Sequence, residues 1–304
     1  MHTETSDTPL GAIIQEFNVA THFSGDDINA LRHTFYERGV VCLRRQNLTP
    51  ESLLAFAKHF GEPDEHYLSH YQHPDHKTIM LVSNIQQDGR DIGHADAGRI
   101  WHSDGSYLQT PVAVSMLYAL EIPVDSQGHA LGATQFVSAA TAYDRLPKAQ
   151  KMRIEGLEVI HQVAGRRKST GTGQGDMAQR RAQPDAIHPM VRKHSITARP
   201  YLFVNKGECV EIKGLEKSEG SALIEGMADA IVRSEHRYVH QWEPGDLLIW
   251  DNQTVQHLAT FDYQWPEHRR LMYRVTITEG TEPPLATDTA PKNTEQDPDS
   301  YAHR

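Results

Sequence analysis

Residues 100–107 read IWHSDGSY, which sets a histidine and an aspartate one residue apart behind a tryptophan. In an extended strand, side chains at i and i+2 leave the same face about 6.6 Å apart along the chain, so His102 and Asp104 could both enter one cavity. An imidazole and a carboxylate so placed are two ligands for one divalent metal ion. An acid tuning a nearby histidine, or two solvated loop residues, would give the same three letters. A third ligand would separate these readings, and EPGDLLIWDNQTVQH offers one: a Pro-Gly-Asp turn, a short apolar strand, then a polar segment ending in His257. Two histidines and one carboxylate on one side of a metal leave open positions, the arrangement of non-haem Fe(II) oxygenases, in which a chelating 2-oxo acid leaves one position for O2. A zinc hydrolase with a metal-bound water could use the same three ligands. A non-catalytic jelly-roll binding protein would need none of them intact.

A 2-oxo dicarboxylic acid has a far carboxylate, and the planar fork of an arginine is suited to hold it. HRRLMYRVTITEG, after His257, contains three arginines. Alternation puts Leu271, Tyr273, Val275 and Ile277 on one face and Arg270, Met272, Arg274 and Thr276 on the other, with Arg269 apart. Arg270 and Arg274 would then stand about 13 Å apart, which suits two separate anions. Three arginines facing water from an edge strand would read the same way.

The elements that must position these residues are legible in part. Asp26 can cap a helix with Ile28, Leu31 and Phe35 on one side and Gly39 at its end, leading into a buried strand over Val40–Leu43. Thr49 and Pro50 start a second helix that Gly61 can close. TIMLVSN reads as a strand ending at Asn84, and PVAVSMLYALEIP as a strand with one strongly apolar face. Short helices are expected over 138–146 and 147–155, a longer one over 216–232, and strands in HPMVRKHS, RPYLFVN, RYVHQW, GDLLIWDN and RRLMYRVTITEG. Residues 166–186 lack large apolar side chains and predict a mobile insertion or lid; their GTGQG lacks the pattern of a phosphate loop. Residues 281–304 predict a disordered tail, leaving a single domain over 1–280. Strands that are mostly antiparallel, with helices early and between them, imply a mainly β or α+β sandwich or barrel.

Bulk properties bound the function. The chain has 304 residues and a formal net charge of −10, which opposes general affinity for nucleic acid or an anionic membrane and favours a small-molecule substrate. Its two cysteines, Cys42 and Cys209, form no CxxC pair and suit a reducing compartment. A polar, acidic N-terminus and the lack of an 18-residue apolar run predict a soluble cytoplasmic protein.

Taken together, WHSDGSYLQTPVAVSMLYALEIP, LGATQFVSAATAYDRLP, HPMV, LFVN and EPGDLLIWDNQTVQH followed by RRLMYRVTI, in that order between about residues 10 and 280, resemble one family. It is the Fe(II)- and 2-oxoglutarate-dependent dioxygenases typified by taurine dioxygenase and 2,4-dichlorophenoxyacetate dioxygenase. The resemblance implies a distorted double-stranded β-helix, a cupin-like jelly roll flanked by helices. It implies Fe(II) on His102, Asp104 and His257, 2-oxoglutarate with its 5-carboxylate on Arg270 assisted by Thr134, and O2 as oxidant. Oxidation of a substrate C–H bond would be coupled to release of succinate and CO2. Arg274 matches the arginine that holds a sulfonate, which implies an anionic substrate: a sulfonate, a carboxylate or an amino-acid derivative. Tyr71 aligns with a substrate-contacting tyrosine, and Asn84 is a further candidate for the pocket wall. Leu68 stands where taurine dioxygenase has a histidine, which argues against taurine itself. LGAT replaces the usual GGDT, so Ala133 takes the place of an aspartate outside the metal set, and the presence of Asp104 disfavours halogenation. EHYLSHYQHP and SNIQQDGRDIG also resemble a subgroup that converts N-substituted amino acids to isonitriles, where Tyr67 and Tyr71 would form a polar aromatic pocket. The family commonly forms dimers or tetramers, so a homo-oligomer is expected.

Overall fold

The computed structural model describes residues 2–21, 23–163, 174–233 and 236–286, with the main chain alone for 174–177. The first helix, Gly25–Arg38, is capped two residues earlier than expected: Ser24 and not Asp26 is the N-cap, in a capping box with Asp27 at 3.1 and 2.9 Å. Asp26 instead lies in the first turn, where a carboxylate favours the helix dipole. Gly39 ends the helix at φ 66°, a left-handed conformation that costs a glycine nothing. Thr49 and Pro50 start the helix Pro50–Ala57, which stops short of Gly61 because the amides of His59 and Phe60 turn to carbonyls three residues back.

Seven strands make the larger sheet, in the order Thr3–Thr5, Ala12–Ile14, Val40–Leu43, Leu247–Asp251, Val112–Glu121, Leu271–Thr278, Met80–Ser83. Only Ala12–Ile14 and Val40–Leu43 run parallel. The two N-terminal helices cover one face, burying Leu31, Phe35, Phe56 and Phe60 against Ile14, Val275 and Ile277. The other face meets a three-stranded sheet of Tyr238–His240, Thr134–Ser138 and Val255–Ala259 across Leu117, Phe136, Trp250 and Met272. A further layer packs Glu158–His161, Ala186–Pro189 and Cys209–Ile212 with the helices Ala139–Arg145 and Lys217–Val232. Two facing, mainly antiparallel sheets with flanking helices are the jelly roll that the family resemblance implies.

Val112–Glu121 is buried on both faces as far as Ala119, unlike the one-sided burial its alternation predicts, because it is central to a sheet covered on both sides. Eight strands escape the sequence reading: Thr3–Thr5, Ala12–Ile14, Gln86–Gln87, Arg90–Asp91, Thr134–Ser138, Glu158–His161, Cys209–Ile212 and the polar Val255–Ala259. Within the predicted insertion, residues 174–182 are helical and a strand begins at Ala186, while 164–173 lie outside the described residues. At the predicted tail, Arg32 donates to the carbonyls of Pro283 and Pro284, holding the segment against the first helix. Residues 287–304 lie outside the described residues. No helix among the described residues is long and apolar enough to cross a membrane.

Candidate metal centre and co-substrate cavity

His102 and His257 meet through the backbone first. They form an antiparallel bridge and exchange both amide hydrogen bonds, at 3.2 and 2.9 Å, so their side chains stand on one face with ring centroids 4.2 Å apart. His257 in turn is registered opposite Phe136 in the three-stranded sheet. Asp104 is not in a strand, as an i, i+2 pairing would require; it sits in the turn after the bridge, next to Gly105 at φ 63°. Two interactions aim it. Asn252 Oδ1 accepts its amide at 3.0 Å, and Ser115 Oγ donates to its Oδ2 at 2.6 Å. The other oxygen, Oδ1, then faces His102 Nε2 at 3.5 Å, His257 Nε2 at 3.8 Å and Arg274 Nη2 at 2.8 Å.

The electrostatics prepare these atoms for a cation. His102 Nδ1 lies 2.7 Å from the Ile100 carbonyl, which fixes its proton there and leaves the Nε2 lone pair pointing inward. Burial alone would push the Asp104 carboxyl up, but the charge of Arg274 and the hydrogen bond and charge of His102 outweigh it and hold Asp104 well below the usual carboxylate range. Burial and the neighbouring His102 push His257 down to about 3, so it is neutral. For His102, burial works downward and Asp104 outweighs it, raising the group. Converging N, N and O donors on one side fit a ferrous ion with open positions.

Arg270 is 3% exposed and lies between the faces of Tyr263 and Trp242, at 5.3 and 5.8 Å. Its Nη1 donates to the Gly132 carbonyl at 2.8 Å, and no carboxylate among the described residues stands within ion-pair distance; Asp262 acts on it from farther away. A buried guanidinium without an anion is costly, so the cavity is built to receive one. Arg269, on the other face, is exposed and pairs with Glu121 at 2.8 Å. Gly132 has φ 76°, and a Cβ there would lie 2.0 Å from Arg270 Nη1, so only glycine admits the guanidinium. Thr134 Oγ1 accepts from Trp242 Nε1 at 3.0 Å, leaving its hydroxyl proton to donate. The ligand triad, Thr134, Arg270 and Arg274 all line one cavity of about 530 Å³, measured out to its open mouth, with Val82, Leu117 and Trp250 as apolar wall.

Arg274 Nη2 lies 2.8 Å from Asp104 Oδ1, and its Nε is buried without a partner. Tyr71 is buried with Leu68 and Met80 and stacks on His94 at 5.2 Å. Tyr67 meets Tyr107, of the ligand segment, edge to face at 5.8 Å. Asn84 is placed differently from the expectation. Its amide donates to the His268 carbonyl and accepts from the Arg270 amide, each at 2.9 Å, so it pins the start of the arginine strand and is not part of the cavity lining. Sequence reading missed Ser115, Asn252, Trp242 and Tyr263. Ser115 had a signal, as the hydroxyl residue within an apolar strand; Trp242 and Tyr263 had none.

A family profile described as Taurine catabolism dioxygenase TauD, TfdA family matches residues 4–276. The chain is 28% identical to an alpha-ketoglutarate-dependent 2,4-dichlorophenoxyacetate dioxygenase from Cupriavidus pinatubonensis, over 82% of this chain and 88% of that protein. It is 29% identical to a pentalenolactone F synthase from Streptomyces arenae, over 88% and 91%. Among solved structures, a taurine dioxygenase from Burkholderia xenovorans superposes with a TM-score of 0.74 at 25% identity, covering 91% of this chain and 90% of that one. With the profile spanning nearly the whole described body, the chain belongs to the TauD, TfdA family of dioxygenases.

Proposed function

We propose that this protein oxidises a C–H bond of a small anionic substrate, with Fe(II) as cofactor and 2-oxoglutarate and O2 as co-substrates. A ferrous centre of this kind supplies the oxidation and couples it to decarboxylation of 2-oxoglutarate to succinate and CO2. His102, Asp104 and His257 hold the iron, with Ser115 and Asn252 keeping the carboxylate turned so that Oδ1 faces the two imidazoles. Arg270 receives the 5-carboxylate, and the Thr134 hydroxyl donates beside it. Arg274 takes the substrate anion; Tyr67 and Tyr71, like Asn84, are not part of the cavity lining. The observation that carries the reading is the buried, anion-free guanidinium of Arg270 in the same cavity as the triad; a zinc hydrolase would leave it unexplained. Homo-oligomeric assembly and a cytoplasmic location belong to the same reading, on the family resemblance and the cysteine usage.

Anaerobic addition of Fe(II) and 2-oxoglutarate is expected to produce the visible charge-transfer band of the chelate, and succinate release should then identify substrates among sulfonates, aryloxy acids and amino-acid derivatives. Arg274→Ala should raise KM for the best anionic substrate about thirtyfold or more, the equivalent of roughly 2 kcal/mol for a lost charged hydrogen bond. Zinc-supported hydrolysis without the band would replace this reading by the hydrolase.

A further inference from the structure

We propose that Glu208 and Gln256 are positioning residues of the metal centre: through them the turn over residues 204–208 locks the segment that carries His102 and Asp104 to the strand that carries His257. This rests on the reading above, in which those three residues hold the metal.

The two ligand segments meet at few points. His102 and His257 form an isolated bridge, and Ser103 Oγ donates to the Val255 carbonyl at 3.0 Å. Beyond Ser103 the chain turns at Gly105, so Asp104 and the residues after it lie outside any strand and are held by side-chain ties. The turn over 204–208, which begins in LFVN, reaches both segments at once. Glu208 Oε2 accepts from the hydroxyl of Ser106, two positions after Asp104, at 2.5 Å. Gln256, the neighbour of His257 in the chain, donates from Nε2 to the Val204 carbonyl at 2.7 Å. A third contact is apolar: the Ile100 side chain lies over Gly207, where a Cβ would sit 1.9 Å from its Cδ1, and the Ile100 carbonyl orients His102. Each ligand thus has a neighbour within two positions that touches the same turn.

The turn can act as one piece. Asn205 Oδ1 accepts the amides of Gly207 and Glu208 at 3.0 and 2.8 Å, its Nδ2 donates to Glu208 Oε2 at 3.0 Å, and the Glu208 carbonyl accepts the Gln162 amide at 2.8 Å. Ser106, Asn205, Glu208 and Gln256 are buried and line no part of the cavity, so substrate contact does not account for them. Satisfying the Val204 carbonyl does not account for Gln256 either, because its own Oε1 is left buried without a partner, a loss that offsets the gain. What the two ties supply is precision. A coordination shell tolerates only about 0.5 Å of misplacement, and ligands carried on separate segments meet that limit only where the segments are fixed to each other.

The test is Co(II) binding by the full chain, read as the dissociation constant against a competing chelator and as the visible absorption spectrum of the bound ion. Glu208→Leu and Gln256→Met should each raise that constant about tenfold or more and alter the spectrum, as expected for groups that orient ligands without touching the metal. Glu208→Gln keeps the acceptor for Ser106 and should restore both readouts to nearly the wild-type values. Ser106→Ala removes the same tie by a smaller change and should act in the same direction, so the test does not depend on Glu208→Leu folding. Gln46→Met is the control: it deletes a buried amide that holds the Phe17 carbonyl and the Val19 amide, and should lower the urea midpoint with the Co(II) constant and spectrum unchanged. Wild-type constants and spectra in Ser106→Ala and Gln256→Met, a Glu208→Gln chain as impaired as Glu208→Leu, or an equal effect of the Gln46 control would each overturn the proposal. A wild-type chain that binds no Co(II) is a separate result, which removes the metal-centre reading and this one with it.

Discussion

Two buried clusters in this molecule have nearly the same ingredients. Cys42, His240 and Asp246 form one; His102, Asp104 and His257 form the other, and in each the candidate ligand atoms lie within 4.8 Å of one another. Each carboxylate is also touched by an arginine, Asp246 by Arg44 at 2.5 Å and Asp104 by Arg274 at 2.8 Å. What differs is where the lone pairs go. His240 uses both ring nitrogens inside the chain, Nε2 on Asp246 at 3.0 Å and Nδ1 with the Tyr238 hydroxyl at 3.2 Å. Asp246 Oδ2 also accepts the Glu243 amide at 2.9 Å, and burial raises the Cys42 thiol so that it stays protonated. That cluster is a clamp on the Glu243–Asp246 turn at the head of a central strand. In the second cluster a backbone carbonyl engages only the outer nitrogen of His102, and the inner nitrogens converge beside a cavity. Asp246 Oδ1 is left without a partner, so the carboxylates do not separate the clusters; the imidazoles do, both nitrogens of His240 being used within the chain while the inner nitrogens of His102 and His257 face the cavity.

The sharpest way to break this comparison is to change one candidate ligand in each cluster. His257→Ala should abolish Fe(II) or Co(II) binding and lower turnover by on the order of a thousandfold or more, with a loss of urea midpoint from its ring contacts with Trp250 at 4.9 Å and Phe136 at 5.9 Å. Asp246→Asn should leave bound metal per chain unchanged and cost about 3 kcal/mol of stability, because Arg44 loses its buried counter-charge. Metal content by elemental analysis and denaturant midpoints read both; loss of metal from the Asp246 variant would show that the clamp is a ligand set after all.

A smaller effect tests the cavity. Gly132→Ala drives a methyl group into the space of Arg270 Nη1 and should raise KM for 2-oxoglutarate about ten- to a hundredfold, with little change in kcat at saturation. Unchanged KM would mean that Arg270 is not the holder.

The smallest effect extends the clamp behaviour to His161, which lies against Phe203 at 5.1 Å and is held down to about 3 by burial. Its unfolded value is near 6.5, so between about pH 6.5 and 3 the unfolded chain binds a proton that the folded chain refuses. Stability contributed by this group is therefore present at neutral pH and falls as the pH drops through that window, by up to about 1.4 kcal/mol per pH unit. His161→Gln should flatten the slope of denaturant midpoint against pH by part of that amount.

Local signals were legible where physics is local. The caps at Thr49 and Gly39, the alternation of Val112–Glu121 and the split of Arg269 from Arg270 all follow from dihedral preferences and strand periodicity. Val255–Ala259 and Glu158–His161 were not, because polar or short strands acquire their conformation from the neighbours that pair with them. Asn84 shows the same limit within the site: an amide at a strand end suits a pocket wall or a backbone brace, and only the position of His268 and Arg270 decides which.

By itself, the sequence determined the chemistry available: two imidazoles, a carboxylate and two arginines on the same strand face, in residue types and spacings that bind iron and dicarboxylates. Tertiary structure alone decided how closely His257 approaches the other two ligands, which oxygen of Asp104 faces the imidazoles, and that a glycine gives Arg270 its room. The reason is one of range. Residue identity and periodicity act over a few positions, whereas a coordination shell is closed by groups more than a hundred residues apart that only sheet register brings to within a few ångströms.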